Sequence, residues 1–315
     1  MIKSIATTTK GKYKIINWSS YNQSLKERGS VTIWISEEAI KSWEYQGERK
    51  PGGKVIYSDL AIETCLVLRK VYHQKLRQTE GFVQSLFSLM RVELSVPDYS
   101  TMSRGAKRLS ISLGDFGKGE AIAIVVDSTG LKVYGEGEWK VRKHGWSKHR
   151  TWRKLHIGVN PATHEIVAEL LTENDIDDAQ VVAPLIAGAT VAIKSFRGDG
   201  AYDKHKVRKL LTTKAIEQII PPQHNAVESK KARSELAARD EAIKRIKQVG
   251  RKQWKHETGY HKRSIGEVTM YRYKTILGDK ILARTFVNQQ AEVRIGCQIL
   301  NKMTKLGMPI SRIAA

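Results

Sequence analysis

The sequence predicts an α/β protein: a mixed sheet flanked by helices, preceded by an all-α N-terminal region. Three observations predict it. Up to about residue 110 the apolar residues recur at helical steps. From Ala121 onward short apolar runs alternate with turns. Those runs come first as consecutive hairpin-like strands, then as strand and helix in alternation, which calls for antiparallel and parallel pairing in one sheet. The expected division is a helical region over 1–112, with a helix-turn-helix outline at about 58–109, and an α/β domain over 113–310.

In the first region, residues 36–45 (SEEAIKSWEY) predict a short helix capped by Ser36, with acids in its first turn. Residues 49–54 (RKPGGK) read as a turn. Residues 58–74 predict a helix, and 76–92 a second with Phe82, Leu86 and Met90 on one stripe. Residues 95–109 predict a turn at Pro97, a cap at Asp98 or Ser100, and a short basic helix carrying Arg104, Lys107 and Arg108. Helix, turn and short basic helix is the outline of a DNA reader.

In the second region, AIAIVVDSTG (121–130) predicts a buried strand closed by an acid and a turn. Strands follow at 131–135, 152–160 and 164–172, the last two joined by a tight turn at 161–164. A helix is expected at 177–188 with Pro184 as a local defect, then a strand ending at Asp199. Helix 204–214, a short strand at 216–222 stopped by two prolines, a charged helical segment at 226–250 and an apolar helix at 286–306 complete the order.

The chain has 315 residues, 54 Lys plus Arg against 32 Asp plus Glu, and a formal charge of +22 with an isoelectric point near 9.9. Such a balance points to a polyanionic partner, most often nucleic acid. A hydrophobic content of 41% supports a sizeable core and excludes wholesale disorder. No apolar run reaches the roughly 18 residues of a membrane span, and the N-terminus lacks the apolar stretch of a secretory signal. Two cysteines, Cys65 and Cys297, make neither a disulfide framework nor a zinc knuckle and fit a reducing cytosol.

Three acids stand out by position. Asp127 closes the first central strand and Asp199 the strand after the first helix. Glu267 lies in a helical stretch, YHKRSIGEVTMYRYK (260–274). In open α/β sheets ligands gather at the carboxyl ends of strands, although Asp127 and Asp199 are also good turn acids. On a helical wheel Tyr260, Arg263, Glu267 and Lys274 share one face. The set suits a metal–phosphate site, with Glu for the metal and Arg and Lys for phosphate oxygens.

The pattern Y-x2-R-x3-E-x6-K formed by Tyr260, Arg263, Glu267 and Lys274 resembles the signature of the DDE transposases of bacterial insertion sequences. GEGEWKVRKHG (135–145), WRKLH (152–156), GDGAYD (198–203), LNKMTKLGMP (300–309) and residues 16–40 resemble the text of the insertion-sequence-five family in particular. The resemblance implies a ribonuclease-H-like core with Asp127, Asp199 and Glu267 as catalytic and metal-binding residues; Asp203 matches the second position loosely, and reads better as a helix cap. It also implies two Mg²⁺ ions, with Mn²⁺ as a substitute, acting on DNA phosphates. The stretch between Asp199 and Glu267 has no room for the long β-rich insertion of some related transposases.

The expected DNA contacts are Tyr260, Arg263 and Lys274, the basic segment Lys140, Arg142, Lys143, Arg150, Arg153 and Lys154 with its interleaved tryptophans, and Arg104, Lys107 and Arg108. Trp254 is either a base-stacking residue or part of the core. The implied partners are double-stranded DNA, both element ends and target, and a second copy of the chain in the DNA complex. The implied setting is the bacterial cytoplasm, on the nucleoid, with no membrane. The competing reading is an end-binding DNA regulator of the same fold without catalysis; a further one is a nuclease that cuts without joining.

Overall fold

The computed structural model describes residues 13–48, 55–116, 119–133, 152–229 and 233–313. At its centre is a mixed sheet in the order β4-β3-β2-β5-β6. Strands β2 (Ile122–Val133), β3 (Trp152–Val159) and β4 (Ile166–Glu173) form an antiparallel meander. Strands β5 (Ile193–Arg197) and β6 (Glu217–Ile219) join parallel on the other side of β2. The combination of hairpins and parallel crossovers is the one the sequence predicts.

The β2 strand corrects one expectation. Residues 121–130 and 131–135 were to be separate strands, yet β2 runs unbroken from Ile122 to Val133. Gly130 does not turn the chain because β3 pairs with β2 along its whole far half, from Val125↔Val159 to Lys132↔Trp152. Asp127 is therefore inside a strand and not at its end.

Helices cover both faces. On one face α7 (Asp178–Ala187) and α8 (His205–Thr213) bury Val181, Val182, Leu185, Val207 and Leu211 against Ile124, Val126 and Phe196. Pro184 sits inside α7 without ending it. The other face receives α10 (Ser264–Leu277) and α11 (Phe286–Leu306), the latter with the predicted bounds. Helix α11 ends at Gly307, whose φ of 152° is a conformation L side chains rarely adopt. The charged segment corrects a second expectation. The helix α9 (Ala237–Glu257) continues past Gly250, which breaks it with a φ of 82°.

The N-terminal third packs onto α11. It comprises α1 (Trp18–Glu27), α2 (Val31–Trp34), α3 (Glu37–Lys41), α4 (Asp59–Val71), α5 (Leu76–Met90) and α6 (Tyr99–Gly105), with a 3₁₀ turn at Ala106–Arg108. The expected caps are present: Ser36 Oγ accepts from the Ala39 N–H, and Asp98 accepts from Ser100 and Thr101. Residues 49–54, expected as a turn, lie outside the described residues. Ile62, Leu66 and Leu68 of α4 share one core with Ile295, Ile299 and Leu300 of α11 and with Leu155 and Ile157 of β3. The Asn301 side chain joins the two halves: its Nδ2 donates to the Leu113 and Ile166 carbonyls and its Oδ1 accepts from the Ile166 N–H. The short strands β1 (Tyr13–Ile15) and β8 (Ser311–Ile313) pair antiparallel and bring residues near the two ends of the chain together.

Candidate active site

The sheet places two of the three acids. Parallel pairing of β2 and β5 ends at Val125↔Arg197. Two residues further along each chain are Asp127 and Asp199. Neighbouring strands lie about 4.8 Å apart, so this register sets the two carboxylates side by side. Beyond Val125 the edge of β2 has no strand partner until β7 (Lys280–Ile281) pairs with Lys132 and Val133. Asp127 lies in the gap between these two partners, a crevice at the carboxyl end of β5. Asp199 accepts from the Ala201 N–H (2.9 Å) at the start of a 3₁₀ turn, Gly200–Tyr202.

Glu267 approaches from above the sheet. Gly259, with a φ of 62°, sets a 3₁₀ turn over Tyr260–Arg263 that leads directly into α10. Two of the four signature residues, Tyr260 and Arg263, are thus wound on a 3₁₀ turn, while Glu267 and Lys274 lie in the first and last turns of α10. The helix can sit this low because residue 266 is glycine. A Cβ there would lie 3.0 Å from the Asp127 Cβ and 3.1 Å from Val125 Cγ1. Sequence reasoning missed this role for Gly266; a small residue directly before the acid was the available signal.

Electrostatics tie the group together. Burial raises the Asp127 carboxyl above its ordinary pKa; the Ser128 N–H (2.9 Å) and Arg263 lower it, while Asp199 and Glu267 raise it. Glu267 is itself exposed and ion-paired with Arg263. Tyr260 feels the same charges: burial raises its phenol, Arg263 lowers it, and Asp199 and Glu267 raise it. Its ring lies 6.2 Å from that of Trp254, and Lys255 Nζ lies 5.1 Å from its centroid.

A further cluster adjoins the acids. Asp178, in the first turn of α7, accepts from Lys154 Nζ (3.1 Å) and Ser128 Oγ (3.1 Å), with His156 Nδ1 at 3.6 Å. The Tyr202 hydroxyl is buried with no hydrogen-bond partner among the described residues. Burial and the charges of Asp178, Asp127 and Asp199 all raise its pKa. Neither Asp178 nor Tyr202 was expected from the sequence.

Several expected contacts have other partners. Asp203 is not a helix cap: its side chain, 1% exposed, is clamped by Arg208 (2.9 Å) and Arg239 (3.2 Å). Arg153 binds Gln289 and Glu173 and lies over Phe286, and Lys154 donates to Asp178 and the Ile176 carbonyl. Both are thus held inside the fold. Trp254 is 4% exposed, a core residue and not a free stacking face. His156 is buried and packs, its Nε2 bonded to Thr172 Oγ1. Lys140, Arg142, Lys143 and Arg150 lie outside the described residues. Arg108 pairs with Asp59, while Arg104 and Lys107 line a cleft beside α11.

The donor set fits a hard divalent cation. It consists of carboxylates, and Asp127 is destabilised as an anion by its two carboxylate neighbours, which a dication would offset. Among the described residues no three His, Cys, Asp or Glu side chains form a preassembled metal cluster. In this arrangement Glu267 holds Arg263.

Asp127 within β2, Asp199 two residues past the end of β5 and Glu267 on the helix above them bring three acids to one part of the sheet. Two family models, both described as Transposase DDE domain, match the chain, one over residues 118–302 and the other over residues 26–136. The first covers more than half of the sequence, and the chain belongs to the DDE transposase family. The family uses divalent metals and has DNA as its partner. Among the described residues no helix is long and apolar enough to cross a membrane.

Proposed function

We propose that the protein is the transposase of an insertion sequence resembling the insertion-sequence-five group. It binds the terminal inverted repeats of its element, cleaves the 3′ ends and joins them to target DNA. The observation that carries this reading is the β2–β5 register, which sets Asp127 beside Asp199 while Gly266 lets Glu267's helix close over them.

In this reading Asp127, Asp199 and Glu267 would hold two Mg²⁺ ions, or Mn²⁺ in their place, and the bound metals would supply activation of a water and stabilisation of the leaving oxygen. The rest is done by the chain. Asp127 presents its oxygens from within β2 and Asp199 from the turn just past β5, so the scissile phosphate is held against a fixed floor. Arg263, which pairs with Glu267 here, would be free to hold a phosphate oxygen if Glu267 bound a metal. Lys274 lies on the same helix face as Glu267, about 10 Å further along the axis, and contacts a neighbouring phosphate. Tyr260 stacks on a sugar or base of the bound DNA or donates to one of its phosphates.

The α4–α6 region, with Arg104, Lys107 and Arg108, acts as the helix-turn-helix reader of the element end. The basic segment with Lys140, Arg142, Lys143 and Arg150 contacts the flanking DNA. Two ends must be held at once, so the active species is a dimer on DNA. The protein works in the bacterial cytoplasm, on the nucleoid. The domain boundary near residue 112 separates the reader from the ribonuclease-H-like catalytic part.

The test is an assay with purified protein, Mg²⁺ and DNA carrying the ends that flank its own gene. Nicking at the element end followed by a joined product is the expected result, absent in Asp127→Ala while DNA binding persists. End binding without any nick, in Mg²⁺ or Mn²⁺, sinks the enzymatic reading and leaves an end-binding regulator.

A further inference from the structure

Behind Asp127, on the opposite face of the sheet, lies a row of partly buried polar side chains. Successive residues of a strand point to opposite faces. Val125 and Asp127 face α10, where a Cβ on Gly266 would meet both. Ser128 therefore faces α7, and Asp178 Oδ2 accepts from its hydroxyl at 3.1 Å. Lys154, on the neighbouring strand β3, donates to Asp178 Oδ1 (3.1 Å) and to the Ile176 carbonyl (2.7 Å). His156 completes the row, with Nδ1 3.6 Å from Asp178 Oδ1 and Nε2 bonded to Thr172 Oγ1 of β4 at 2.9 Å.

An acid in the first turn of a helix is favoured by the helix dipole, and Lys154 supplies the counter-charge. These account for the charge of Asp178 and for its Oδ1. They leave Oδ2, which is turned onto Ser128. Ser128 is engaged twice: its hydroxyl donates to Asp178, and its N–H donates to Asp127 Oδ1 at 2.9 Å. That second bond holds one oxygen of the Asp127 carboxylate. The other, Oδ2, lies on the side of α10, 3.5 Å from where a Cβ of Gly266 would be. It therefore faces the helix that carries Glu267.

The stretch of β2 involved is the one least supported by its own sheet. β5 pairs with it only as far as Val125 and β7 only from Lys132, so between them β3 is its single strand neighbour. A strand paired on one edge twists more freely than one paired on both. Rotation at Ser128 would swing the N–H that orients Asp127. Asp178 opposes that rotation from α7, which is itself anchored to the sheet through Val181, Val182 and Leu185.

We propose that Asp178 is a positioning residue for Asp127. Acting through Ser128, it fixes the carboxylate so that Oδ1 stays on the N–H and Oδ2 is presented toward Glu267. The inference rests on the transposase reading, in which Asp127 is a metal ligand. Removing a group that orients a ligand typically weakens metal binding by about 10–100-fold.

The experiment titrates full-length protein with Mn²⁺, following free Mn²⁺ by electron paramagnetic resonance, and records a melting curve in EDTA for each variant. Ser128→Ala removes a hydroxyl and no charge, so it folds even where Asp178→Ala, which strands Lys154, does not. It should bind Mn²⁺ about tenfold more weakly, while Ser128→Thr, which keeps the hydroxyl, stays within about twofold of wild type. Asp178→Ala should lose at least as much, and the double variant no more than Asp178→Ala, because both substitutions break one link. Thr172→Val is the comparison. It removes the His156 partner in the same row without touching Ser128, so its melting temperature falls and its Mn²⁺ affinity holds. In single-turnover nicking below the melting temperature, Ser128→Ala should need about tenfold more metal for its half-maximal rate, a shift that a merely structural serine would not give.

Wild-type Mn²⁺ affinity in Ser128→Ala overturns the inference, whatever Asp178→Ala does, and leaves the transposase reading intact. Equal weakening in Ser128→Ala and Thr172→Val also overturns it, because the row would then act only by holding the fold together. Wild-type Mn²⁺ affinity in Asp127→Ala is a different failure: it removes the metal role of Asp127 and takes both the site reading and this inference with it.

Discussion

The choice between Asp199 and Asp203 as the second catalytic acid can be decided by opposite failures of two variants. The Asp203 carboxylate is 1% exposed and accepts from Arg208 Nε and Nη2, from Arg239 Nε and from the Gln223 N–H. Arg208 is fully buried, so Asp203→Asn leaves a guanidinium without its counter-charge. Removing one partner of a buried ion pair costs about 3–5 kcal/mol. At roughly 2–4 °C per kcal/mol the melting temperature falls by about 6–20 °C. Asp199 makes one local bond, to the Ala201 N–H, so Asp199→Asn costs at most about 1 kcal/mol, or roughly 2–4 °C. Its effect falls on the chemistry: nicking of an element-end duplex should drop by at least about a hundredfold, on the order of the loss of a charge-stabilising group. Calorimetry and a nicking assay below both melting temperatures separate the two. If Asp203→Asn melts within about 2 °C of wild type and fails to nick, while Asp199→Asn nicks normally, the site assignment is wrong.

Three other outcomes follow from the same geometry. Gly266→Ala drives a Cβ against Asp127 and Val125, so the helix must shift by a few tenths of an ångström; nicking should fall by at least about tenfold while the protein stays folded, and an unimpaired variant would show that this approach is not needed. His156 is held neutral with its pKa lowered to about 4, by burial and by Lys154 against the opposing pull of Asp178. The unfolded chain protonates it near the ordinary value of about 6.5, so this histidine makes stability fall as pH drops from about 6.5 to 4, by up to about 3 kcal/mol, with no further loss below; urea titrations of His156→Gln should show a shallower decline over that window, and an identical decline would refute the assignment. Gly250→Ala forces an L side chain to a φ of 82° within α9, so unfolding free energy should drop by about 1–2 kcal/mol; an increase would mean the kink straightens without cost.

The elements were legible because their signals are local. The Ser36 and Asp98 caps and the Gly307 stop each act within a turn or two, and α3, α6 and α11 appear where those signals lie; α5 also forms, but it buries Thr79, Val83 and Phe87 and leaves Met90 of the expected stripe exposed. The acids were legible by another route. Hydrophobic runs ending in Asp, and a fixed spacing of Tyr260, Arg263, Glu267 and Lys274, mark positions without showing that they meet.

Where the reading departed from the structure, a long-range partner decided. Gly130 reads as a turn, but pairing with β3 from Val125 to Lys132, on both sides of the glycine, outweighs its preference for bending. Asp203 reads as a cap, yet Arg239, far along the chain, makes it half of a buried charge cluster. Arg153 and Lys154 read as DNA contacts because a basic run looks solvated; their partners Gln289 and Asp178 arrive from α11 and α7.

The sequence by itself determined the class of the chain, the order of most of its strands and helices, its excess of positive charge and the identity of three candidate acids. Only the tertiary structure decided that the β2–β5 register sets Asp127 beside Asp199, that Gly266 admits Glu267's helix, and that cations from α4, α5, α6 and the α11 approach converge on one cleft. The physical reason is one of range. Propensity, capping and turn chemistry act over a few residues, whereas register, close approach and the summing of charge depend on residues that only the folded core brings within a few ångströms.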